Sequence, residues 1–567
     1  EGYLSAVPES EKDGHRIERL FLYACIWAFG GCAAADKTTD SRQLFNEVWR
    51  DVAKGGLKLP EAGLCFEYAV DPVSGDVCEW SELVPRYEPV GVVKFSNIVV
   101  ATADLVALKT LTTNLQTNGH GVLFVGSAGT GKTVLVRDFL RSLPIEKYDT
   151  ATINMNFYTD AVTTQGQLEA PIEKRSGKSY GPPAGKVLVY FIDDLNMPFV
   201  EEYGTQTPIE LLRMHADYGS WYDRADLSLR KQIVDCQFIC AQNHKAGSFS
   251  VLGRYQRHFA AFGCQSSSDA DLAMIFGSIL DSHLESFSNG VQKVGKSIVD
   301  GTLAIHREMA SRFLPSAVKF HYNFNMRDLA AVFQGLCSIH HSHVRDGLKV
   351  ARLWMHECER VYADRLISNT EIQRCMEIIV DVAKRVIDDD QEALFKQPNA
   401  WTTFATQTMD DSRAYLPIKS MASLKKVLHD QLAEYNEANA IMNLVLFDMA
   451  MLHVVRIARI IGFPQGNALL VGVGGSGKQS LARLASFICG NTVTQVAVTS
   501  TFGVNELKEE LKELYRKAGV KPAEPITFLL TDSQIVDEKF LVFINDVLAS
   551  GIIPDLFSRD EYDAIFG

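Results

Sequence analysis

The chain has 567 residues, more than a single hydrophobic core holds, so roughly three to five folding units are expected. Hydrophobic residues at 47% and charged residues at 22% are ordinary globular composition, and the formal charge of −13 argues against an overall field that grips nucleic acid. The 11 cysteines include no CxxC pair and no zinc-spaced Cys/His cluster, which reads as reduced core thiols rather than disulfides or a metal centre.

In chain order, residues 16–50 read as helical, and turns then come thickly at Gly55-Gly56, Pro60, Gly63 and Asp71-Pro72. Residues 1–88 are therefore expected to be the tail of a preceding module. The first strong landmark is an apolar run from Gly121 into Gly126-Ser127-Ala128-Gly129-Thr130-Gly131-Lys132-Thr133, followed by a helical pattern. Strand, Gly-rich turn and helix in succession are the context of a phosphate-binding loop. Gly126 and Gly131 let the backbone amides curl inward, and the helix adds its positive end. Lys132 is suited to the β- and γ-phosphates and the Thr133 hydroxyl to Mg²⁺.

The run at 186–194 is apolar and ends in Asp193-Asp194, a buried parallel strand presenting carboxylates at its C-terminal end. Asp193 would hold the metal through water. Asp194 would polarise the attacking water, one methylene short of the Glu usual in this class, so slow hydrolysis is expected. Another apolar strand ends in Asn243, suited to the γ-phosphate or the water; an Asn that caps the next turn is the alternative. Arg254 and Arg257 precede a strand-like run and are arginine-finger candidates, positioned to reach a neighbouring module's phosphate.

Residues 269–397 are mostly helical in pattern. Arg327, in this appendage, is a candidate for reaching back to the γ-phosphate, with a surface pair to Asp328 as the alternative. The most apolar long stretch, 441–461, contains Asp448, His453, Arg456 and Arg459, so it is no membrane span. A second apolar run, read as a strand, then leads into Gly472-Val473-Gly474-Gly475-Ser476-Gly477-Lys478-Gln479-Ser480 and a helix. Here Gln479 replaces the metal-ligating hydroxyl, and Ser480 is turned about 100° further round the helix. The matching acidic strand keeps Asp532 for the metal but has Ser533 at the catalytic position, and serine is a poor base near neutral pH. Binding with little hydrolysis is expected, unless Glu538 or another acid substitutes. The start at Glu1 without a Met, and the stop at Gly567 soon after this strand, read as an internal piece of a longer chain.

The chain resembles the motor ring of dynein heavy chains, specifically axonemal ones. The residues that carry the likeness are 24–31, from Ala24 to Gly31; the first Gly-rich loop; Phe191-Ile-Asp-Asp-Leu-Asn-Met-Pro198; Phe324 to Leu329; Gly472 to Leu481; and Leu530-Thr-Asp-Ser-Gln534. The resemblance implies an α/β fold of P-loop AAA+ modules, each a parallel-sheet large domain with helices on both faces plus a helical lid. It implies the lid of the second module over 1–88, the large domain of the third over 89–270, its lid over 271–410, and the large domain of the fourth over 411–567. It implies an insert over 173–185, a loop or hairpin ahead of the acidic strand, and a second over 221–231 ahead of Asn243, and it places the adenine pocket at Val99, Val100 and Thr102.

ATP or ADP and Mg²⁺ are the implied cofactors. The implied partners are the other ring modules, dynein intermediate and light chains, and microtubules through a stalk that lies elsewhere; nucleic acid and membrane are not expected. The implied setting is the cytoskeleton of the cytoplasm and the axoneme of cilia and flagella, with minus-end-directed movement driven mainly from the first module. A ring segment that holds nucleotide without hydrolysis, and a tandem AAA+ remodelling ATPase, are the competing readings.

Overall fold

The computed structural model describes residues 14–34, 39–53, 55–89, 94–183, 185–244, 250–388, 390–404, 414–463, 466–499, 502–554 and 556–566. The boundary expected near 410 lies outside them. The chain forms two compact units, 1–271 and 272–567.

The first unit begins with helices α1 (Gly14–Gly30) and α2 (Ser41–Val52) and the antiparallel pair β1 (Tyr68–Val70) and β2 (Val77–Glu79). Helix α3 (Ala103–Thr117) leads into a parallel sheet of β3 (Gly121–Val125), β4 (Tyr148–Asn154), β7 (Val187–Asp193), β10 (Cys236–Gln242) and β11 (Phe259–Gly263). The strand order is β11-β3-β10-β7-β4. Its central runs are apolar on both faces because helices cover both: Val122 and all five residues from Leu188 to Ile192 are 0% exposed. Helices α4 (Lys132–Ser142), α5 (Ala161–Glu169) and α6 (Thr207–Tyr218) connect the strands.

The two inserts expected as separate features are hairpins that merge. β5 (Glu173–Ser176) and β6 (Ser179–Gly181) join β8 (Ser220–Tyr222) and β9 (Arg230–Ile233) in one sheet, through parallel pairing of β6 with β9. A buried cation locks this sheet to α5, since Lys231 pairs with both Glu169 and Asp223 at 2.8 Å. Trp221 Nε1 also donates to Glu169 at 2.8 Å. Burial alone would lower the Lys231 ammonium; the two carboxylates outweigh it and raise it.

Residues of α1, α2 and the β1–β2 hairpin share one core with the five-stranded parallel sheet, with Tyr23, Trp27, Phe66 and Trp80 packed together with Val122, Phe124 and Phe262. The end of α1 clamps the edge strand β11: Gly263 N donates to Gly31 O at 2.7 Å, and Cys32 Sγ to Ala261 O at 3.0 Å. A Cβ on Gly31 would fall 2.4 Å from the Trp27 carbonyl of α1 and 3.1 Å from the Phe262 ring of β11, so the turn that makes this dock needs glycine. The compact unit thus joins a P-loop domain to the helical segment before it in the chain.

A short helix α7 (Gly253–Gln256) precedes β11, and α8 (Asp269–Leu284) crosses into the second unit. There α9 (Asn289–Arg312), α10 (Met326–Leu336), α11 (Gly347–Cys358) and α12 (Asn369–Val386) form a helical layer. Helices α13 (Met421–Ala438), α14 (Asp448–Ile461) and α15 (Lys478–Ile488) follow, then β12 (Thr492–Gln495) paired in parallel with β13 (Ile526–Leu529).

Two expectations are corrected here. The apolar run before the second Gly-rich loop is not a strand, and its Leu469 and Val471 are each 89% exposed. In the first unit the equivalent β3 is flanked by β10 and β11, the last two strands in chain order. No counterpart of either occurs among the described residues of the second, so the run has no ladder partner. The acidic strand also stops at Leu529, and Asp532 opens a 3-10 turn (Asp532–Gln534) instead of ending a strand.

The second loop is supported from behind. Leu481, Leu484 and Ala485 of α15 share a core with Val454, Val455 and Ala458 of α14. Helix α14 is tied to α11 by a buried ionic cluster. Glu357 accepts from Arg360 Nε at 2.9 Å, from Tyr415 Oη at 2.7 Å and from Arg459 Nη2 at 3.5 Å. Burial would raise the Glu357 carboxyl, but the facing cations Arg360 and Arg459 outweigh it and hold it at about 2. Arg456 reaches Glu359 at 2.9 Å and Asp364 at 3.0 Å.

All 11 cysteines are free, and burial pushes the Cys236, Cys240 and Cys264 thiols up to about 12. Among the described residues, no helix is long and apolar enough to cross a membrane.

Candidate nucleotide sites

At the C-terminal edge of the sheet, β3 hands the chain to residues 126–131 and then to α4. Gly129 and Gly131 both take φ of 83°, a left-handed conformation that costs L side chains and lets successive amides turn inward. Gly126 is fixed by crowding, since a Cβ there would lie 2.6 Å from the Cys264 carbonyl and 2.9 Å from Thr130 Oγ1. Lys132 is buried, and its ammonium donates to the carbonyls of Gly126 and Ser127, both at 2.8 Å. The cation is thus folded back onto the carbonyls of the loop itself.

Strand β7 brings its acid to the same edge. Thr133 Oγ1 donates to Asp193 Oδ2 at 2.7 Å, which joins residues 60 positions apart. A hydroxyl and a buried carboxylate in contact are the donor set a hard divalent cation takes, so these residues fit Mg²⁺. Asp194 follows at φ 54°, one of two non-glycine residues described with positive φ. Asp is among the side chains that tolerate this region best, and sparsely populated backbone at a strand end is common at reactive sites. Asp194 is exposed at the rim, with its N–H donating to Asp193 Oδ1 at 3.1 Å.

β10 lies between β3 and β7, so Asn243 arrives between the loop and the acids. Its partly buried backbone N–H donates to Asn196 Oδ1 at 3.1 Å. The sequence reasoning missed Asn196. It is 2% exposed, in the turn after the acids, and the signal for it was its place in the Phe191–Pro198 stretch that carries the family likeness. Gln206, 1% exposed, pins the same turn by donating to Pro198 O at 2.8 Å.

The two arginine-finger candidates differ. Arg257 is tied within its own unit, with Nη2 2.9 Å from Asp217, which also pairs with Arg213 and His258. Arg254 is exposed on α7. Arg327 lies in the second unit, exposed on the first turn of α10. The surface pair with Asp328 does not form: Asp328 bonds Arg365 at 2.6 Å and caps the helix through the Asn325 N–H at 2.8 Å. Val100 is buried, and Thr102 caps α3 by accepting from Leu105 N at 3.2 Å.

In the second site, Gly475 and Gly477 take φ of 76° and 77°. Lys478 donates to Gly472 O at 2.6 Å and Val473 O at 2.9 Å, the same fold-back as in the first. The anion cradle is therefore repeated. The metal set is not, because Gln479 and Asp532 are both exposed and no hydrogen bond joins them among the described residues. Ser480 occupies the first turn of α15, and Ser533 Oγ bonds Thr531 Oγ1 at 3.1 Å.

Four family models match: "P-loop containing dynein motor region" over residues 87–267, "P-loop containing dynein motor region D4" over 442–567, "AAA+ lid domain" over 298–397 and "Dynein heavy chain AAA lid domain" over 4–82. Among curated proteins, the chain is 46% identical over 548 residues to the dynein beta chain of the flagellar outer arm of Chlamydomonas reinhardtii, covering 96% of this chain. It is 45% identical over 553 residues to a ciliary dynein beta chain of Heliocidaris crassispina, covering 97% of this chain, and 43% identical over 561 residues to human dynein axonemal heavy chain 17, covering 98%. It spans about 12% of the length of each of these relatives. With these matches in sequence order across both Gly-rich loops and the helical segments, the chain belongs to the axonemal dynein heavy chains and carries part of their P-loop motor region.

Proposed function

We propose that this chain is the regulatory nucleotide-binding part of an ATP-driven, minus-end-directed microtubule motor of cilia and flagella. Its first site binds Mg-ATP and hydrolyses it slowly, and its second binds nucleotide with little hydrolysis. The observation that carries this reading is the 2.7 Å bond between Thr133 and Asp193, set against Gln479 and the exposed Asp532 in the second site. The relatives named for flagellar outer arms and cilia support the setting.

In the first site, the amides of residues 126–131 and the start of α4 bind the phosphates, and Lys132 neutralises their charge. Thr133 and Asp193 hold the metal, which when bound supplies charge stabilisation to the phosphoryl group in transit. Asp194 orients a water and takes its proton, and Asn243 contacts the γ-phosphate or that water. Asp194 is shorter than Glu, which makes proton removal slow. Arg254, exposed on α7, is the better finger toward a neighbouring module, because Arg257 is occupied by Asp217. The working partners are the remaining modules of the heavy chain, intermediate and light chains, and microtubules reached through other parts of the protein.

The test is phosphate release from the complete motor under single-turnover conditions, wild type against Asp194→Asn. Loss of a slow phase is expected. An unchanged trace would make this a site whose occupancy alone regulates.

A further inference from the structure

We infer that Asn196 is a positioning residue for hydrolysis at the first site, setting Asp194 and Asn243 in register with each other. This rests on the reading that the first site hydrolyses ATP. The acid and the amide sit at the ends of different strands, β7 and β10, whose ladder stops before either: the last paired residues are Ile192 and Cys240. Beyond that point each strand is paired only on its far side, Asp193 with Asn154 of β4 and Gln242 with Val125 of β3, so no ladder fixes one end against the other. The structure stitches them together twice. Leu195 N donates to Ala241 O at 3.0 Å, and Asn243 N donates to Asn196 Oδ1 at 3.1 Å.

The second stitch is the one a side chain controls. Asn196 is 2% exposed, and its turn is held by Met197 N to Asp194 O at 2.9 Å and by Gln206 to Pro198 O at 2.8 Å. The turn also reaches the turn that follows β4, since Phe199 N donates to Phe157 O at 3.0 Å. The bond from Asn243 N to Asn196 joins the two strand ends and is not part of the Gly-rich loop, so Asn196 is expected to act on the geometry of the reaction and to leave the phosphate cradle to other residues. A donor or base displaced by about 1 Å costs on the order of 100-fold in rate, while binding through the loop amides is spared.

The experiment uses the full-length heavy chain motor, with ATP affinity and single-turnover phosphate release both measured at this site. Asn196→Leu keeps the volume and removes the acceptor; it is expected to slow the slow phase by about 10- to 100-fold and to leave ATP affinity within about threefold. Asn196→Asp keeps an acceptor oxygen in place and is expected to recover most of the rate. Asn196→Ser, smaller and polar, replaces the Leu variant if that one does not fold. Asp194→Asn is run beside them. If it loses the slow phase while Asn196→Leu keeps it, the positioning role is wrong and the hydrolysis reading stands. If neither variant changes the trace, the hydrolysis reading fails and takes this inference with it. Equal losses of affinity and rate in Asn196→Leu, or an Asp variant as slow as the Leu one, would reduce Asn196 to a structural residue.

Discussion

The two Gly-rich loops have nearly the same backbone in different surroundings. Gly129 and Gly131, like Gly475 and Gly477, take φ between 76° and 83°, and each lysine folds back on two loop carbonyls. The first loop leaves a strand buried among five, and a Cβ on Gly126 would meet the end of β11. The second leaves an exposed run, and the nearest atom to a Cβ on Gly472 is Ser476 Oγ, within its own loop, at 3.2 Å. A phosphate cradle is thus a local device that forms from nine or so consecutive residues. A hydrolytic site of the proposed kind is not, because the residues proposed as its metal ligands, base and γ-phosphate contact come from a helix start and two strand ends that only a sheet brings together.

The comparison breaks most visibly at the lysines. Lys132→Ala is expected to lower nucleotide affinity at the first site by at least about 100-fold, through loss of a charge-assisted contact, and to spare the second. Lys478→Ala should do the reverse. Retention of nucleotide at the first site in the Lys132 variant, measured by counting bound nucleotide per chain, would remove the assignment.

The next effect concerns support. The second loop depends on α14 and hence on the Glu357 cluster. Glu357→Leu leaves Arg360 and Arg459 buried without their carboxylate, at a cost of about 3–5 kcal/mol, read as a lowered melting transition of the second unit alone. The pH dependence has a definite sign. The Glu357 carboxyl is at about 2 in the folded chain against 4.5 as its ordinary value, so its contribution is present above the ordinary value and lost as pH falls from there toward 2. Thermal melts of wild type should drop more steeply across that window than those of the Leu variant.

Smaller effects test the metal set. Thr133→Ala removes the hydroxyl bonded to Asp193 and should weaken the Mg²⁺ dependence of ATP binding at the first site by about 10-fold, a loss near 1.4 kcal/mol. The smallest expected change is in the converse variant, Gln479→Thr. It restores a hydroxyl but meets an exposed Asp532 beyond the strand end, so Mg²⁺ dependence at the second site should rise by only about twofold. A rise as large as the fall in Thr133→Ala, in titrations with and without the metal, would show that the surrounding sheet matters less than the ligand itself.

What the sequence by itself determined is whatever short-range chemistry writes in consecutive residues. Both loops, the apolar strand ending in Asp193-Asp194, the Asn243 strand and the helical character of 269–397 were legible because glycines, a lysine and an unbroken apolar run each carry their meaning within a few positions. The same locality misled at 468–471, where an apolar run read as a strand although strand formation needs neighbours. Only the tertiary structure decided the rest. It placed β10 between the loop and the acids, fused two hairpins through β6 and β9, and docked Gly31 on β11. It also joined Thr133 to Asp193 and Asn196 to Asn243, across 60 and 47 positions. These contacts rest on the packing of distant apolar surfaces and the pairing of distant strands, whose partners no local pattern names.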